Sequence, residues 1–280
     1  MRFPTSQDKH FYYSAPCYNY KVQGTSKYKH GENYTENHFK ADVYYKENRD
    51  FTDYKITNFS QSAKAIVYEL AQDFFTITSD LQVQLDSKEY VEKICNLEDI
   101  FQKYQQQKPL LLEKYKNVPN IETLVENYEA NLQKEEKLRK SIFYKGISRV
   151  FFTGLKPIIR STTIRHEITR TRNCPEPIFS VSFPITETIY WRKEGDKYKV
   201  EIKGNVDFKR MEQDNEKDRF LQACSNLVDN QVKPSDVALY TQEKYTLDHR
   251  LNYETADYLY SFGIQGFHEK KETLHYHLKT

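Results

Sequence analysis

The sequence holds few of the residues that build phosphate-binding loops, disulfide frameworks or membrane spans. Its 280 residues include 8 glycines and 9 prolines, so a glycine-rich loop that cradles phosphate is not expected. The four cysteines, at positions 17, 95, 174 and 224, show no C-x-x-C spacing, which favours reduced core or boundary residues over metal ligands or disulfides. No apolar run approaches the ~18 residues that a membrane-spanning helix needs. We therefore expect no cofactor and no membrane partner.

An excess of charge of one sign is also lacking over the chain as a whole. Lys and Arg number 42 against 40 Asp and Glu, so nucleic acid is not an expected partner. The first residues, from Met1 to Asp8, contain no apolar signal-peptide core. We expect a cytosolic protein, and an exported chain that has lost its signal is the alternative.

Motifs of the common enzyme classes are missing. The sequence has no G-x-S-x-G, no G-x-x-x-x-G-K-[ST] and no G-x-G-x-x-G, so nucleophile-elbow, P-loop and dinucleotide-binding enzymes lack support. His166 and Glu167 begin a motif close to H-E-x-x-H, but Arg170 stands where the second histidine would be. Alternation around His166 also predicts a strand, which cannot place two imidazoles one helical turn apart for zinc.

A second pair of histidines lies near the end of the chain. His275 and His277 are two residues apart and would share one face of a strand, where such a pair can chelate a metal. The simpler interpretation is that both face water, while Leu274, Tyr276 and Leu278 face the core. We expect no metal site here.

Aromatic residues are what the sequence has in abundance, with 23 Tyr and 17 Phe against one Trp. From Tyr198 to Phe208 most apolar side chains take alternate positions, and the pattern returns in three later stretches, residues 239–253, 258–264 and 274–278. A period of two predicts half-buried antiparallel strands. Earlier segments dense in Tyr, Phe and Val predict further strands over residues 9–21, 34–46 and 51–58.

Between these predicted strands, apolar residues recur at the spacing of an α-helix. An apolar stripe from Ala63 to Phe74, capped by Ser60 or Ser62, predicts the first helix. A hairpin is expected over residues 81–95. Three helices follow it in the prediction: one capped by Asn96, a short one from Pro109 to Tyr115, and a long one from Pro119 to about Tyr144. The second half of the chain has a predicted hairpin turn over residues 193–196 and a helix over residues 217–229.

These elements predict an α+β fold with a large, curved antiparallel sheet packed with helices. The expected regions are a β-rich half with one helix and a hairpin (residues 1–96), a helical segment (97–155) and an antiparallel β half with one helix (156–280). The order of elements in the two halves also suggests a divergent β-α-β duplication.

One segment has a marked local charge. Residues 134–172 contain eleven basic residues and three acidic ones, which suits contact with an acidic protein surface. The six predicted partner-binding residues are Arg139, Lys140, Lys145, Arg149, Lys156 and Arg160. The alternative is that these charges are solvated or pair with acidic residues elsewhere in the chain. Apolar residues between Ile142 and Leu155 predict that the segment docks into the fold or into a partner.

The hairpin Leu81–Ile94, which leads through Asn96 into charged helices, resembles a group of uncharacterised Bacteroidota-type proteins. The ending from Tyr245 to Ala256, before the closing strands, is similar in style. The resemblance implies a curved antiparallel sheet with helices on its concave side, and some such proteins are encoded beside contractile injection systems. It implies no catalytic residue.

The function we predict from the sequence is non-enzymatic protein binding, as an accessory, adaptor or immunity-type component of a bacterial protein assembly. Exposed tyrosines would suit a recognition surface. The first alternative is a carrier of a small apolar ligand in a cavity between sheet and helices. The second is an enzyme without a recognisable motif that uses His166, His249 or the pair His275 and His277.

Overall fold

The computed structural model describes residues 17–143, 146–161, 167–176 and 181–279. Over these residues the chain forms eleven strands. They are β1 (Cys17–His30), β2 (Asn33–Glu47), β3 (Thr52–Gln61), β4 (Asp80–Leu85), β5 (Val91–Ile94), β6 (Glu167–Glu176), β7 (Val181–Glu194), β8 (Lys197–Val206), β9 (Val237–Leu247), β10 (Tyr253–Ile264) and β11 (His268–Leu278).

The described helices lie between β3 and β4, between β5 and β6, and between β8 and β9. They are α1 (Ile66–Ile77), α2 (Leu97–Lys114), α3 (Ile121–Leu132), α4 (Glu135–Phe143), α5 (Leu155–Ser161), α6 (Phe208–Gln213) and α7 (Lys217–Val228). Short 3-10 helices cover Gly146–Phe151 and Pro234–Asp236.

All eleven strands belong to one curved antiparallel sheet in the order β5-β4-β3-β2-β1-β11-β10-β9-β8-β7-β6. The first and last strands meet in the middle, where Tyr20 pairs with Leu278 and His30 with His268. The predicted α+β class is therefore confirmed. In each half of the sheet a helical excursion follows the third strand along the chain, and a duplication stays a prediction.

Alternation along the strands sets which face is buried. On β10 the side chains of Ala256, Tyr258, Tyr260 and Phe262 point inward, and their neighbours are more exposed. This is the pattern expected when one face of an antiparallel sheet packs on a core. The predicted turn at residues 193–196 joins β7 to β8, with Gly195 at a φ of 64° that a side chain would strain.

Two helix predictions were wrong in their limits. Pro109 lies inside α2 instead of starting a new helix, because Ile100, Tyr104 and Leu111 form one buried stripe whose packing offsets the lost backbone hydrogen bond. The long helix predicted to Tyr144 stops at Leu132, and α4 begins three residues later.

The first helix begins at Ile66, later than its predicted cap. The Ser62 hydroxyl is used by the sheet, where it accepts a hydrogen bond from the backbone N–H of His38 at 2.9 Å and donates to Asn37 at 3.2 Å. The strand β3 therefore holds the chain to Gln61, and the helix has no side-chain cap. The strand predicted to start at residue 9 is described only from Cys17 onward, and residues 162–166 and 177–180 lie outside the described part of the second β block.

Candidate functional site

Residues 146–156, which we call the inserted segment, lie against the inward face of the sheet. The centre of the segment is Phe151, which is 3% exposed. Five tyrosine rings from both halves of the sheet surround it with centroid distances of 5.0–6.0 Å; they are Tyr20, Tyr45, Tyr54, Tyr253 and Tyr276. Of the two predicted docking places, fold or partner, the described residues of this segment therefore occupy the fold.

The tyrosine hydroxyls around the segment have buried partners. Tyr276 donates to the Ile147 carbonyl at 2.9 Å, and Tyr20 donates to the Tyr253 carbonyl at 3.0 Å. Burial raises the pKa of both hydroxyls above the ordinary value, because the phenolate would lose its hydration. Both therefore act as hydrogen-bond donors at any physiological pH.

Beside Phe151, a buried charge cluster joins the inserted segment to the second half of the sheet. It consists of Arg149, Arg170, Glu187 and Glu243. Arg149 Nη2 lies 2.9 Å from Glu243 Oε1 and 3.4 Å from Glu187 Oε1, and Arg170 Nε lies 2.8 Å from Glu187 Oε2. Arg149 also stacks over the Tyr258 ring at 5.1 Å. Two carboxylates thus face two guanidinium groups in a protein interior.

Gly204, on the strand between Glu187 and Thr241, leaves space beside this charge cluster. Gly204 pairs with Glu187 on one side and with Thr241 on the other. A Cβ at Gly204 would lie 2.3 Å from Thr241 Oγ1 and 3.2 Å from Glu187 Cγ. Among the described side chains, Thr241 Oγ1 and Arg170 Nη2 are buried without a hydrogen-bond partner. The glycine is therefore required for Glu187 and Thr241 to lie side by side.

The charge cluster has the chemistry of a structural contact. Glu187 and Glu243 are completely buried, at 0% and 1% exposure, and each accepts from Arg149. Tyr245 also donates its hydroxyl to Glu243. A general acid or base needs access to a substrate proton, which these enclosed carboxylates lack. Their paired charges instead fix the position of the inserted segment on the sheet.

The predicted partner-binding residues separate into two groups. Arg149 and Lys156 are 3% and 4% exposed, and Lys156 pairs with Glu47. Burial opposes ionisation of Glu47, but the charge and hydrogen bond of Lys156 outweigh it and lower the pKa of that carboxyl. For these two residues the alternative from the sequence, pairing with acidic residues elsewhere in the chain, describes what is observed.

The other four residues remain candidates for a partner-binding surface. Arg160 is exposed and pairs with Glu89 at 3.3 Å. Arg139 is half-buried and donates to the backbone carbonyls of Val91 and Glu92 at 3.3 and 2.6 Å. The side chain of Lys140, like the whole of Lys145, lies outside the described part of the structure.

A cavity of about 540 Å³ lies between the first half of the sheet and α1. Five aromatic rings line it, and we call it the aromatic cavity; the rings are those of Phe39, Phe59, Phe74, Phe75 and Tyr128. The Phe74 and Tyr128 rings stack with centroids 4.2 Å apart, and Phe59 lies 5.1 Å from Phe75. Ile147 and Ser148 of the inserted segment complete the lining. Volumes of roughly 300–1,000 Å³ are typical of sites for small organic ligands.

One part of the aromatic cavity is lined by amide side chains. Asn37 donates to Gln61 at 3.0 Å, and Gln61 donates to the Tyr68 carbonyl at 2.9 Å. Gln72 lies beside them, with its Oε1 at 3.4 Å from Gln61 Nε2. Over the described residues, the lining contains no Lys, Arg, Asp or Glu side chain. The cavity therefore offers neutral hydrogen-bonding groups beside aromatic rings.

The histidines near the end of the chain occupy the outward face, as the simpler interpretation predicted. His275 and His277 are exposed, while Leu274 and Tyr276 are buried. His275 Nδ1 lies 2.7 Å from the Asp257 carboxylate on the neighbouring strand, with both side chains more than half exposed. This is an exposed cross-strand contact between an imidazole and a carboxylate. His249 lies exposed in a turn, and His166 is outside the described residues.

The residues of the charge cluster on β7 and β9 were not predicted, although the sequence carries a signal for them. Glu187 stands between Ile185 and Ile189 at an inward position of an alternating strand. Glu243 takes the inward position two residues before Tyr245. A carboxylate on the apolar side of an alternating strand indicates a buried partner. The eleven basic residues of the segment 134–172 were the candidates for that partner.

Across the described helices, none is long and apolar enough to cross a membrane. In the described part of the chain no three His, Cys, Asp or Glu side chains are placed to hold one metal ion together. No protein-family model matches the sequence, and no curated protein matches it significantly.

Proposed function

We propose that this protein binds a small, uncharged, largely apolar ligand in the aromatic cavity. The observation that carries the proposal is a cavity of about 540 Å³ lined by five aromatic rings. Burying an apolar ligand surface there contributes about 25 cal/mol per Å². Side-chain amides at Asn37, Gln61 and Gln72 supply hydrogen bonds to a hydroxyl, ester or amide group of the ligand.

The absence of charged groups from the described lining favours a neutral ligand. A carboxylate or phosphate brought into this cavity would lose its hydration without gaining a cationic partner, which costs several kcal/mol. A fatty alcohol or a monoacylglycerol satisfies the amides without that cost. The expected ligand class is therefore a neutral amphiphile with one alkyl chain or one aromatic group.

The test uses the neutral fluorescent probe 1-N-phenylnaphthylamine with dodecanol and dodecanoate as competitors. We expect the probe to bind one site, dodecanol to displace it, and dodecanoate to compete roughly tenfold or more weakly. Ala71 is exposed on α1 and lines the cavity, so Ala71→Trp fills the entrance and should abolish probe binding. Glu69→Trp is the matched control, because Glu69 is exposed on the same helix and does not line the cavity.

Two results would contradict this proposal. Equal probe binding by the wild type and Ala71→Trp would place the probe elsewhere on the molecule. Equal competition by dodecanol and dodecanoate would remove the neutral-ligand class. Mass spectrometry of organic extracts of the purified protein provides an independent measurement, since a natural ligand of this class would be present in wild type and depleted in Ala71→Trp.

Protein binding, the function favoured by the sequence, is the second candidate. Its support is now the exposed Arg160 together with Arg139, Lys140 and Lys145, because Arg149 and Lys156 are buried. A partner with an acidic surface, in an accessory or adaptor role, would fit these charges. A pull-down with Arg139→Glu/Arg160→Glu as the comparison bait tests it: a stoichiometric partner lost in the variant supports it, and identical captured proteins contradict it.

A further inference from the structure

Three side-chain amides form one hydrogen-bonded chain in the wall of the aromatic cavity. Asn37 donates through Nδ2 to Gln61 Oε1 at 3.0 Å, and Gln61 Nε2 lies 3.4 Å from Gln72 Oε1. The three residues belong to β2, to the end of β3 and to α1, and all of them line the cavity. The positions of their hydrogen atoms decide which ligand groups this wall can bind.

The backbone fixes the orientation of the Asn37 and Gln61 amides. The Ala63 N–H donates to Asn37 Oδ1 at 3.0 Å, and Gln61 Nε2 donates to the Tyr68 carbonyl at 2.9 Å. Because a backbone N–H only donates and a carbonyl only accepts, each contact settles which end of the amide carries the oxygen. The bond from Asn37 Nδ2 to Gln61 Oε1 agrees with both assignments.

The Gln72 amide is oriented in the same way. Its Nε2 donates to the Phe59 carbonyl at 3.4 Å, so its Oε1 is the atom that accepts from Gln61 Nε2. Every bond of the chain therefore runs in one direction, from Asn37 through Gln61 to Gln72. Reversing any one amide would set donor against donor or acceptor against acceptor at both of its ends.

Counting the bonds among the described residues gives the capacity that remains for a ligand. An amide has two N–H groups and two lone pairs on its oxygen. Asn37 Oδ1 already accepts twice, so Asn37 keeps one N–H. Gln61 Nε2 already donates twice, so Gln61 keeps one lone pair. Gln72 keeps one N–H and one lone pair. The chain thus has as many free acceptors as free donors.

The hydroxyls of the lining add to the need for a donor on the ligand. Tyr128 donates to the Phe74 carbonyl at 2.8 Å, and Thr78 donates to the Phe75 carbonyl at 3.3 Å. Both hydroxyls have used their hydrogen within the protein, so they can only accept from a ligand. Ser148 also lines the cavity, but its hydroxyl can rotate to donate or to accept and does not discriminate between ligands.

We propose that the aromatic cavity selects a ligand head group that both donates and accepts a hydrogen bond, as a hydroxyl or an unsubstituted amide does. This inference rests on the ligand function proposed above and narrows it to alcohols, monoacylglycerols and fatty amides. A hydroxyl donates to a free lone pair of Gln61 or Gln72 and accepts from a free N–H. An ether or a ketone only accepts, so those lone pairs lose water without gaining a donor.

The test compares two isomers, dodecanol and 1-methoxyundecane, as competitors of 1-N-phenylnaphthylamine. They have the same atoms and similar length, and they differ in whether the oxygen carries a hydrogen. We expect dodecanol to compete about tenfold more strongly. In Gln61→Met/Gln72→Met, which removes two amides at similar side-chain length, the two isomers should compete about equally. Gln102→Met/Gln105→Met is the matched control, because both glutamines are exposed on α2 and do not line the cavity, and it should keep the full preference.

The inference and the ligand function can fail separately in this experiment. Equal competition by the two isomers in wild type would overturn the inference and leave probe binding, and so the ligand function, intact. A preference for dodecanol that persists in Gln61→Met/Gln72→Met would also overturn it, since another group would then select the head group. A wild type that does not bind the probe would refute the ligand function and the inference together.

Urea unfolding verifies that the variants are folded. If Gln61→Met/Gln72→Met is not, Gln72→Met alone decides, because Gln72 is the last member of the chain and its loss leaves the bond between Asn37 and Gln61 in place. The preference for dodecanol should then fall, and an unchanged preference would contradict the inference.

Discussion

Replacing Arg149 by methionine tests whether the charge cluster holds the inserted segment in place. Arg149 contacts both Glu243 and Glu187, and its side chain is 4% exposed. Methionine has similar length and keeps much of the packing. After the substitution Glu187 retains Arg170 and Glu243 retains the Tyr245 hydroxyl, but both buried carboxylates lose the positive charge of Arg149.

The expected loss of stability follows from the lost pairing between Arg149 and these buried carboxylates. Removing one member of a buried ion pair costs about 3–5 kcal/mol. For a chain of 280 residues this corresponds to a fall in the melting temperature on the order of 10 °C. Arg160→Met is the control from the same segment, because Arg160 is exposed and its pair with Glu89 is worth about 0–1 kcal/mol.

Urea unfolding followed by circular dichroism measures both variants, and Arg149→Met/Glu243→Met separates charge from packing. If the buried carboxylate causes the loss, removing it should make the double variant more stable than Arg149→Met alone. A stability of Arg149→Met within about 1 kcal/mol of wild type would refute the reasoning. A double variant that is less stable than the single one would show that packing, and not the lost pairing of the Glu243 carboxylate with Arg149, dominates.

Two further substitutions test the surroundings of the cluster and one helix cap. Gly204→Ala should lower the free energy of unfolding by about 1–3 kcal/mol, because the new Cβ would lie too close to Thr241 Oγ1. Gly263→Ala is the comparison in the same urea assay. Its Cβ would lie 3.5 Å from the nearest atom, so its free energy of unfolding should fall less. Asp207 caps α6 by accepting from the Arg210 N–H at 2.9 Å, so Asp207→Ala should cost about 1 kcal/mol at pH 7. The Thr186 hydroxyl and the Arg210 N–H lower the pKa of Asp207. The stability that the Asp207 carboxylate contributes is therefore present above pH 3.8 and is lost as the pH falls through the lowered pKa. If Asp207→Ala were still less stable than wild type at about pH 2, the ionised carboxylate would not be the cause of the difference.

Period-two alternation predicted the sheet well because each strand has one buried face. Strands β8 to β11 lie where Tyr198, Leu239, Tyr258 and Leu274 indicated them. The position of the helices was predicted less well. Ser62 is a good cap by residue type, but it bonds to β2 instead, through His38 and Asn37. Such contacts between residues more than twenty positions apart do not appear in local periodicity.

The same reason explains what was missed at the candidate site. The basic residues from position 134 to 172 looked like a surface for an acidic partner, because their acidic partners are distant in sequence. Arg149 reaches Glu243, 94 residues later, and Lys156 reaches Glu47, 109 residues earlier. The aromatic cavity also depends on distant contacts, since it is formed by α1, α3, two strands and the inserted segment.

The charge cluster and the aromatic cavity are physically connected through the inserted segment. Ile147 and Ser148 line the cavity, and Arg149, the next residue, is anchored by Glu187 and Glu243. The Ile147 carbonyl is held in addition by the Tyr276 hydroxyl on the opposite half of the sheet. The ligand proposed for the cavity would therefore contact a wall whose position is set by buried charges on β7 and β9. Because this wall is ordered when the chain folds, binding would not have to include the entropic cost of ordering it, and the proposed ligand would meet a preorganised apolar surface.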